Sequence, residues 1–470
     1  MQNSERIWQL VDVRRDRYEA LSDRIWDRPE IAYDEYNSVS EHKTMLEAEG
    51  FRVTTDLAGI PTAVMGEAGT GGPVIAILGE YDALPGLSQE AGVAEPRPLP
   101  GDGMGHGCGH NLLGSGALLA AAAVKDWLAE QGIAGRVRYY GCPAEEGGAA
   151  KSFMVRAGCF DDVDIAITWH SMPFAGVNDA MSLANTRMDF SFHGRASHAA
   201  ASPHLGRSAL DAVELMNVGV NYMREHMPSD ARIHYALLDT GGVAPNVVQG
   251  FAKVRYAIRA RDLAEMNALV DRVKNVARGA ALMTETRVEM VVISAVSNLM
   301  ANVPLEKTMH ANFERLGPPP FDAVDRQFAE DIRATLTAQD IAAQYRRAGL
   351  PIRQDQPLAD FIVPLNLRGE PMLGSTDVGD VSWVVPLVQA DGATVAIGTP
   401  FHSWQLTAQG KSPLAKKGMI HVAKVMAGTA IDALQNPDII TQAKADHAAR
   451  IADTPYISPL PADVMPPVRK

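Results

Sequence analysis

The chain has 470 residues, 46% of them hydrophobic and 21% charged, enough apolar material for a large core in more than one domain and too much for disorder. Its 43 Lys and Arg stand against 56 Asp and Glu, and a net charge of −13 repels phosphate backbones and anionic lipid, so neither a nucleic-acid nor a membrane partner is expected. Three cysteines, Cys108, Cys142 and Cys159, are too few for a disulfide framework and fit a reducing cytoplasm.

The N-terminal 26 residues are charged throughout and lack the apolar run of a secretory signal. Apolar spacing predicts helices over 4–26 and 37–49. A meander of strands at 52–56, 62–65 and 74–78 follows, the last wholly apolar and therefore a buried central strand. The next helix, 111–125, is rich in Ala and Leu, and its most apolar stretch, 116–124, is too short to span a bilayer. Strands at 136–142 and 164–169 complete an alternation of strands and helices with polar residues at the strand ends. That pattern predicts an α/β fold with its site along those ends.

From about residue 185 the rhythm becomes strand 188–193, helix 208–226, strands 232–238 and 253–260, helix 263–282 and strand 287–293. This β-α-β-β-α-β order is the ferredoxin-like split unit. We read it as an insertion, with a first domain part over 1–185, the insert over 186–298 and the domain resuming over 299–470. The polar region from Gly317 to about Arg353 reads as a surface excursion, and 455–470 as an extended surface tail.

The most unusual text is the loop Gly101-Asp102-Gly103-Met104-Gly105-His106-Gly107-Cys108-Gly109-His110. It lacks the Lys-Ser/Thr ending of a phosphate loop, but its glycines let the backbone pass close to something, and an extended loop puts Cys108 and His110 on one side. Taken alone, Cys108 and His110 are a buried cysteine beside a capping histidine, Glu145-Glu146 a solvated turn, and His170 a core histidine. Their convergence points elsewhere. Glu145 and Glu146 follow a strand directly, where adjacent carboxylates repel unless a cation or shared proton relieves them. His170 ends a strand, and His402 lies in the Gly398–His402 loop. Such donors suit a pair of divalent metals better than one structural zinc.

The segments 79–85 (GEYDALP), 107–111 (GCGHN), 143–148 (PAEEGG), 194–200 (GRASHAA) and 374–383 (GSTDVGDVSW) resemble, in order, the M20 metallopeptidase/amidohydrolase family. The likeness covers nearly the whole chain and is greatest to the branch of aminobenzoyl-glutamate hydrolases, indoleacetyl-amino-acid hydrolases and bacterial aminoacylases. It implies a two-metal, aminopeptidase-like catalytic domain with a mixed sheet flanked by helices, plus an inserted ferredoxin-like α+β domain for dimerisation and closure. It further implies two divalent ions, zinc or manganese, held by Cys108, His110, Glu146, His170 and His402, with Glu145 as general base and Asp82 orienting a ligand. Glu80 and Asp82 stand where peptidase branches carry His-x-Asp, and Asn111 where many relatives have an aspartate.

By the same resemblance His198 would stabilise the tetrahedral oxygen in the partner's site of a homodimer. Asn246 and Arg259 would hold the substrate carboxylate, and Ser375 and Thr376 lie in a loop that could touch substrate. Arg187, Arg195 and Arg255 near them read as surface charges. The expected reaction is hydrolysis of the amide bond of an N-acyl amino acid, such as aminobenzoyl-glutamate. Alternatives are a dipeptidase or aminoacylase of other specificity, a cysteine hydrolase using Cys108, or a non-catalytic member of a heteromeric hydrolase.

Overall fold

The computed structural model describes residues 2–101, 103–370 and 373–468, so Asp102 of the glycine-rich loop and the tail residues Arg469 and Lys470 lie outside the described residues. The strands are β1 (Arg52–Thr55), β2 (Val64–Thr70), β3 (Val74–Glu80), β4 (Gly135–Cys142), β5 (Ile165–Met172), β6 (Gly176–Val177), β7 (Ala184–His193), β8 (Arg232–Asp239), β9 (Phe251–Ala260), β10 (Arg287–Val296) and β11 (Leu387–Ala393). Among the described residues they form a mixed sheet, β1-β2-β4-β3-β5-β11-β6, and a second sheet, β10-β7-β9-β8.

In the mixed sheet β4, β3, β5 and β11 run parallel, and the antiparallel strands lie at its margins. Every residue of β3 is buried, as its unbroken apolar run predicts. The expected meander stops after one hairpin: β2 turns to pair with β4, and β3 lies on the far side of β4. A strand apolar on both faces needs cover on both faces, so it takes the middle of the sheet and not the edge beside β2.

The helix His110–Gln131 lies across this sheet and is longer than expected. A window of it reaches a mean hydropathy of 1.3, apolar enough to cross a bilayer, yet 83% of that window is buried inside the molecule. Gly114 explains how closely it sits: a Cβ there would lie 2.5 Å from the Glu80 carbonyl oxygen at the end of β3. The predicted first helix is broken into Gln2–Asp12 and Arg15–Trp26. Arg14, at the break, pairs with Glu49 and Asp126, a contact that a continuous helix would carry elsewhere.

The second sheet is antiparallel throughout. Alternate residues of β9 are buried, and with the helices Ala209–Met223 and Leu263–Thr284 they form a separate apolar core. Side-chain caps from Ser208 and Asp262 start those two helices.

Two expectations need correction. The region after Gly317 is no surface excursion: it forms the helices Ala323–Arg333 and Ala338–Arg347, each opened by a capping box. Ile332, Ile341 and Tyr345 are buried, Tyr345 lies edge-on to Phe174 at 5.4 Å, and Gln344 donates to the Thr399 carbonyl at 3.1 Å. These few apolar residues recur at helical spacing, so one face buries although the segment as a whole is polar. Within the described residues, the C-terminal tail is extended but anchored. Tyr456 donates to Asp380 at 2.8 Å, Arg156 reaches the carbonyls of Pro461 and Val464 at 2.6 Å each, and Leu460 is buried.

Candidate metal centre and active site

The carboxyl ends of the parallel strands deliver most of the predicted residues to one cavity. β3 ends at Glu80, with Asp82 two residues on; β4 runs into Glu145 and Glu146; His170 lies near the end of β5; His402 lies in the loop after β11. The glycine-rich loop comes in beside them. A Cβ at Gly107 would lie 2.3 Å from the Leu87 side chain and one at Gly109 would lie 2.7 Å from Ser171, so only glycine lets Cys108 reach this depth. The Gly107 carbonyl accepts the His402 backbone N–H at 3.0 Å, tying the two loops together. Ala144 (φ +56°) and His402 (φ +54°) are left-handed without being glycine, a strain of about 1–3 kcal/mol each that the surrounding packing must hold.

Donor atoms of Cys108, His110 and His170 all lie within 4.8 Å of one another, and so do those of Cys108, Glu146 and His402, with the thiol common to both groups. Cys108 Sγ is 3.5 Å from His170 Nε2, and His402 Nε2 is 3.3 Å from Glu146 Oε2. Ligands on a tetrahedral ion with bonds of about 2.0–2.3 Å stand roughly 3.3–3.7 Å apart, so both spacings fit.

Hydrogen bonds set the orientation of the imidazoles. His110 Nδ1 donates to Asp82 Oδ1 at 2.9 Å, and His170 Nδ1 donates to the Ser171 carbonyl at 3.0 Å. Both bonds leave Nε2 with its lone pair turned inward. His110 Nε2 and Glu146 Oε1 are buried with no hydrogen-bond partner, although Glu80 Oε2 approaches that nitrogen to 3.2 Å. Asp82 Oδ2 also accepts the Glu146 backbone N–H at 2.9 Å, so one carboxylate fixes two of the donors.

The electrostatics call for a cation. Burial, then Glu80, Glu146 and Asp377, push the Glu145 carboxyl well above its ordinary range. Burial opposes ionisation of Glu146 too, but His402 and His110 outweigh it and hold that carboxyl down at about 2. Burial and Glu146 push the Cys108 thiol up, a poor setting for a free thiolate nucleophile and a suitable one for a thiolate neutralised by a metal. The residues present therefore fit divalent ions, with Cys108, His110, Glu146, His170 and His402 as the available ligands.

Sequence reasoning missed three supports. Lys151 is fully buried, bonding Glu80 at 2.6 Å and Asp377 at 2.7 Å, which occupies Glu80 and joins the end of β3 to the 374–380 loop. Glu35 accepts the Ala144 backbone N–H at 2.8 Å and so steadies the turn before Glu145. Arg187, read as a surface charge, is half-buried in the cavity wall and donates to the Gly147 carbonyl at 3.2 Å. It follows an unremarkable strand pattern, and only the sheet's placement over the cavity turns it inward. Arg255, also read as a surface charge, pairs with the buried carboxylate of Asp189 at 2.6 Å.

Of the substrate-binding candidates, Arg259, Ser375 and Thr376 line the cavity, and Arg259 donates to Ser375 Oγ at 3.4 Å. Thr376 also caps the backbone N–H of Val378. Asn246 and His198 do not line it. They sit together on the second sheet's loops, where the Asn246 carbonyl accepts the Ala199 N–H at 2.9 Å and both side chains are exposed. Asn111, beside the ligands in sequence, donates to Ser22 Oγ and the Gly410 carbonyl, a bracing role within the core.

Inward-facing lone pairs gathered beside a carboxyl able to carry a proton are the equipment of a metal-dependent hydrolase. Comparison with known proteins agrees: residues 76–352 match the model of peptidase family M20/M25/M40. The chain is 45% identical to one of the two kinds of chain that make up the p-aminobenzoyl-glutamate hydrolase of Escherichia coli (strain K12), over 97% of this chain and 97% of that one. It is 28% identical to the Xaa-Arg dipeptidase of Mus musculus, over 84% of this chain and 80% of that one. Among solved structures, a dinuclear metal-binding M20 peptidase of Bacillus subtilis superposes with a TM-score of 0.59 at 16% identity, over 90% of this chain and 99% of that one. The aminobenzoyl-glutamate utilization protein of Klebsiella pneumoniae gives 0.58 at 17% identity, over 89% and 97%. The chain belongs to peptidase family M20/M25/M40 and is a metal-dependent hydrolase of amide bonds.

Proposed function

We propose that this enzyme hydrolyses the amide bond of an aromatic N-acyl amino acid of the p-aminobenzoyl-glutamate type. The observation that carries the reading is the shared thiol of Cys108 between two donor groups, with Glu145 beside them, in a chain 45% identical to part of a hydrolase of that name. Ions held by Cys108, His110, Glu146, His170 and His402 would polarise the amide carbonyl and lower the pKa of a water. A thiolate with imidazoles favours zinc over manganese. Glu145 takes the attacking water's proton and passes it to the leaving amine, and Asp82 keeps His110 and Glu146 aimed throughout.

The active form is a homodimer in this reading. Strand β8 is an open edge that exposes Tyr235, Leu237 and Leu238, and Leu215, Val218 and Tyr222 of the neighbouring helix are exposed as well. An apolar edge of this kind calls for cover by a second copy. Docking there would present His198 and Asn246 to the partner's cavity, His198 as a donor to the tetrahedral oxygen. The 186–298 unit serves as both interface and lid. A second, different chain also fits as a partner, since two Escherichia coli relatives are named as separate components of one hydrolase. Free thiols and a thiolate ligand suit a cytoplasmic setting.

The test is turnover of p-aminobenzoyl-glutamate by the metal-loaded protein and by Glu145→Gln, with released p-aminobenzoate measured. A loss of roughly 10²–10⁴-fold in kcat with metal content unchanged is expected for a general base. Unchanged turnover in the variant, or no hydrolysis of any N-acyl amino acid by the wild type, would overturn the reading.

A further inference from the structure

Three guanidinium groups line the cavity around Glu145, Glu146 and His402: those of Arg187, Arg259 and Arg347. A half-buried arginine is ordinarily paired with a carboxylate, because desolvating its charge is costly. These three are not. Their hydrogen bonds go to uncharged oxygens: Arg187 to the Gly147 carbonyl, Arg259 to the Leu373 carbonyl and Ser375 Oγ, and Arg347 to Gln344 Oε1 at 3.5 Å. Arg259 Nε is buried with no partner. A chain of net charge −13 thus keeps three unsatisfied cations at its catalytic cavity.

Arg347 stands apart from the other two. Arg187 and Arg259 belong to the second sheet, on β7 and β9. Arg347 comes from the opposite wall, at the last turn of the helix Ala338–Arg347. Its guanidinium lies 6.0 Å from the centre of the Phe401 ring, and that ring lies 5.7 Å from His170, which places Arg347 one aromatic ring away from the metal ligands. It also lines an adjoining cavity of about 930 Å³, which meets the first at Arg347, Thr376 and Gln389. The acids nearest to Arg347 are engaged elsewhere. Glu370 pairs with Arg346 at 3.2 Å, and Asp391 accepts from Asn178 at 2.8 Å.

We propose that Arg347 is a specificity residue that pairs with a second carboxylate of the substrate, beyond the one assigned to Arg259, so that the enzyme selects doubly acidic N-acyl amino acids. The inference rests on the proposed function. An unpaired guanidinium over an aromatic face offers a planar fork that a carboxylate satisfies and a carboxamide does not. Selection follows, because a neutral analogue leaves the desolvated charge unpaired.

The experiment compares p-aminobenzoyl-glutamate with p-aminobenzoyl-glutamine, which differ by one side-chain carboxamide, in the metal-loaded wild type, Arg347→Gln and Arg347→Lys. The wild type is expected to favour the glutamate compound by about 100-fold in kcat/KM. Arg347→Gln should lose that preference, mostly through KM, and keep its rate on the glutamine compound within about threefold; Arg347→Lys should restore part of the preference. Equal hydrolysis of both compounds by the wild type, or an equal loss on both in Arg347→Gln, would overturn this inference and leave the proposed function standing. Hydrolysis of neither by the wild type would overturn the proposed function and this inference with it.

Discussion

Asp82 shows how a single side chain can govern a site without touching what is bound there. One of its oxygens accepts from His110 and the other from the Glu146 backbone, so its charge fixes an imidazole tautomer and a glutamate position together. Asp82→Asn keeps the shape but replaces one acceptor by an amide donor, facing an N–H that already donates. The expected result is a 10–100-fold weaker hold on the metal, read by titrating a competing chelator, with the fold intact by circular dichroism. An unchanged affinity would mean that His110 is oriented by the Asp82 carbonyl, 3.1 Å away, and not by the carboxylate. At this scale the donors Cys108, His110, Glu146, His170 and His402 were legible because unusual residue types stood at strand ends and among glycines. Lys151 and Glu35 were not, since a lysine or glutamate in a helix or turn is ordinary text, and only the fold shows them to be buried.

Among the elements, strands and long helices were the easiest to read, because a strand such as β3 or β9 has one period and one burial pattern along its length. Pairing was harder. Nothing in 62–78 states that β2 leaves its neighbour for β4, a choice made by the helices that cover β3. The helices Ala323–Arg333 and Ala338–Arg347 were hidden because a few buried residues sit among many charges, and this hidden element carries Arg347 to the cavity. The helix Pro413–Gln435 allows a pH prediction: His421 is buried on it, its Nε2 donating to the Gly317 carbonyl at 2.7 Å, and burial pulls its pKa down to about 4. The folded form therefore resists a proton that the unfolded chain accepts near pH 6.5. Its stabilising effect is complete above pH 6.5 and is lost as pH falls towards 4, at up to about 1.4 kcal/mol per pH unit. His421→Gln should show a shallower fall in Tm than wild type between pH 7 and pH 4.5; parallel curves would show that His421 is already charged in the folded protein.

For the molecule as a whole, the central question is whether one chain suffices. His198 and Asn246 lie exposed on the second sheet's loops, outside the cavity lined by Glu145 and Glu146. If a second copy docks along β8, each site takes its base from one chain and its oxyanion donor from the other. Glu145→Gln and His198→Ala would each be nearly inactive alone. Mixed one to one and allowed to exchange, they should recover about a quarter of wild-type turnover, because half of the dimers are mixed and one site in each is whole. No recovery, with mixed dimers present by native mass spectrometry, would place His198 outside the partner's chemistry.

The metal dependence of the reaction lies beneath every other statement about the site. Its most direct test is to strip the purified protein with a chelator and follow p-aminobenzoate release from p-aminobenzoyl-glutamate while zinc or manganese is titrated back. The account predicts turnover near zero in the stripped protein, and a rise that saturates at two ions per chain. Full turnover in the stripped protein, abolished instead by alkylation of Cys108, would contradict it.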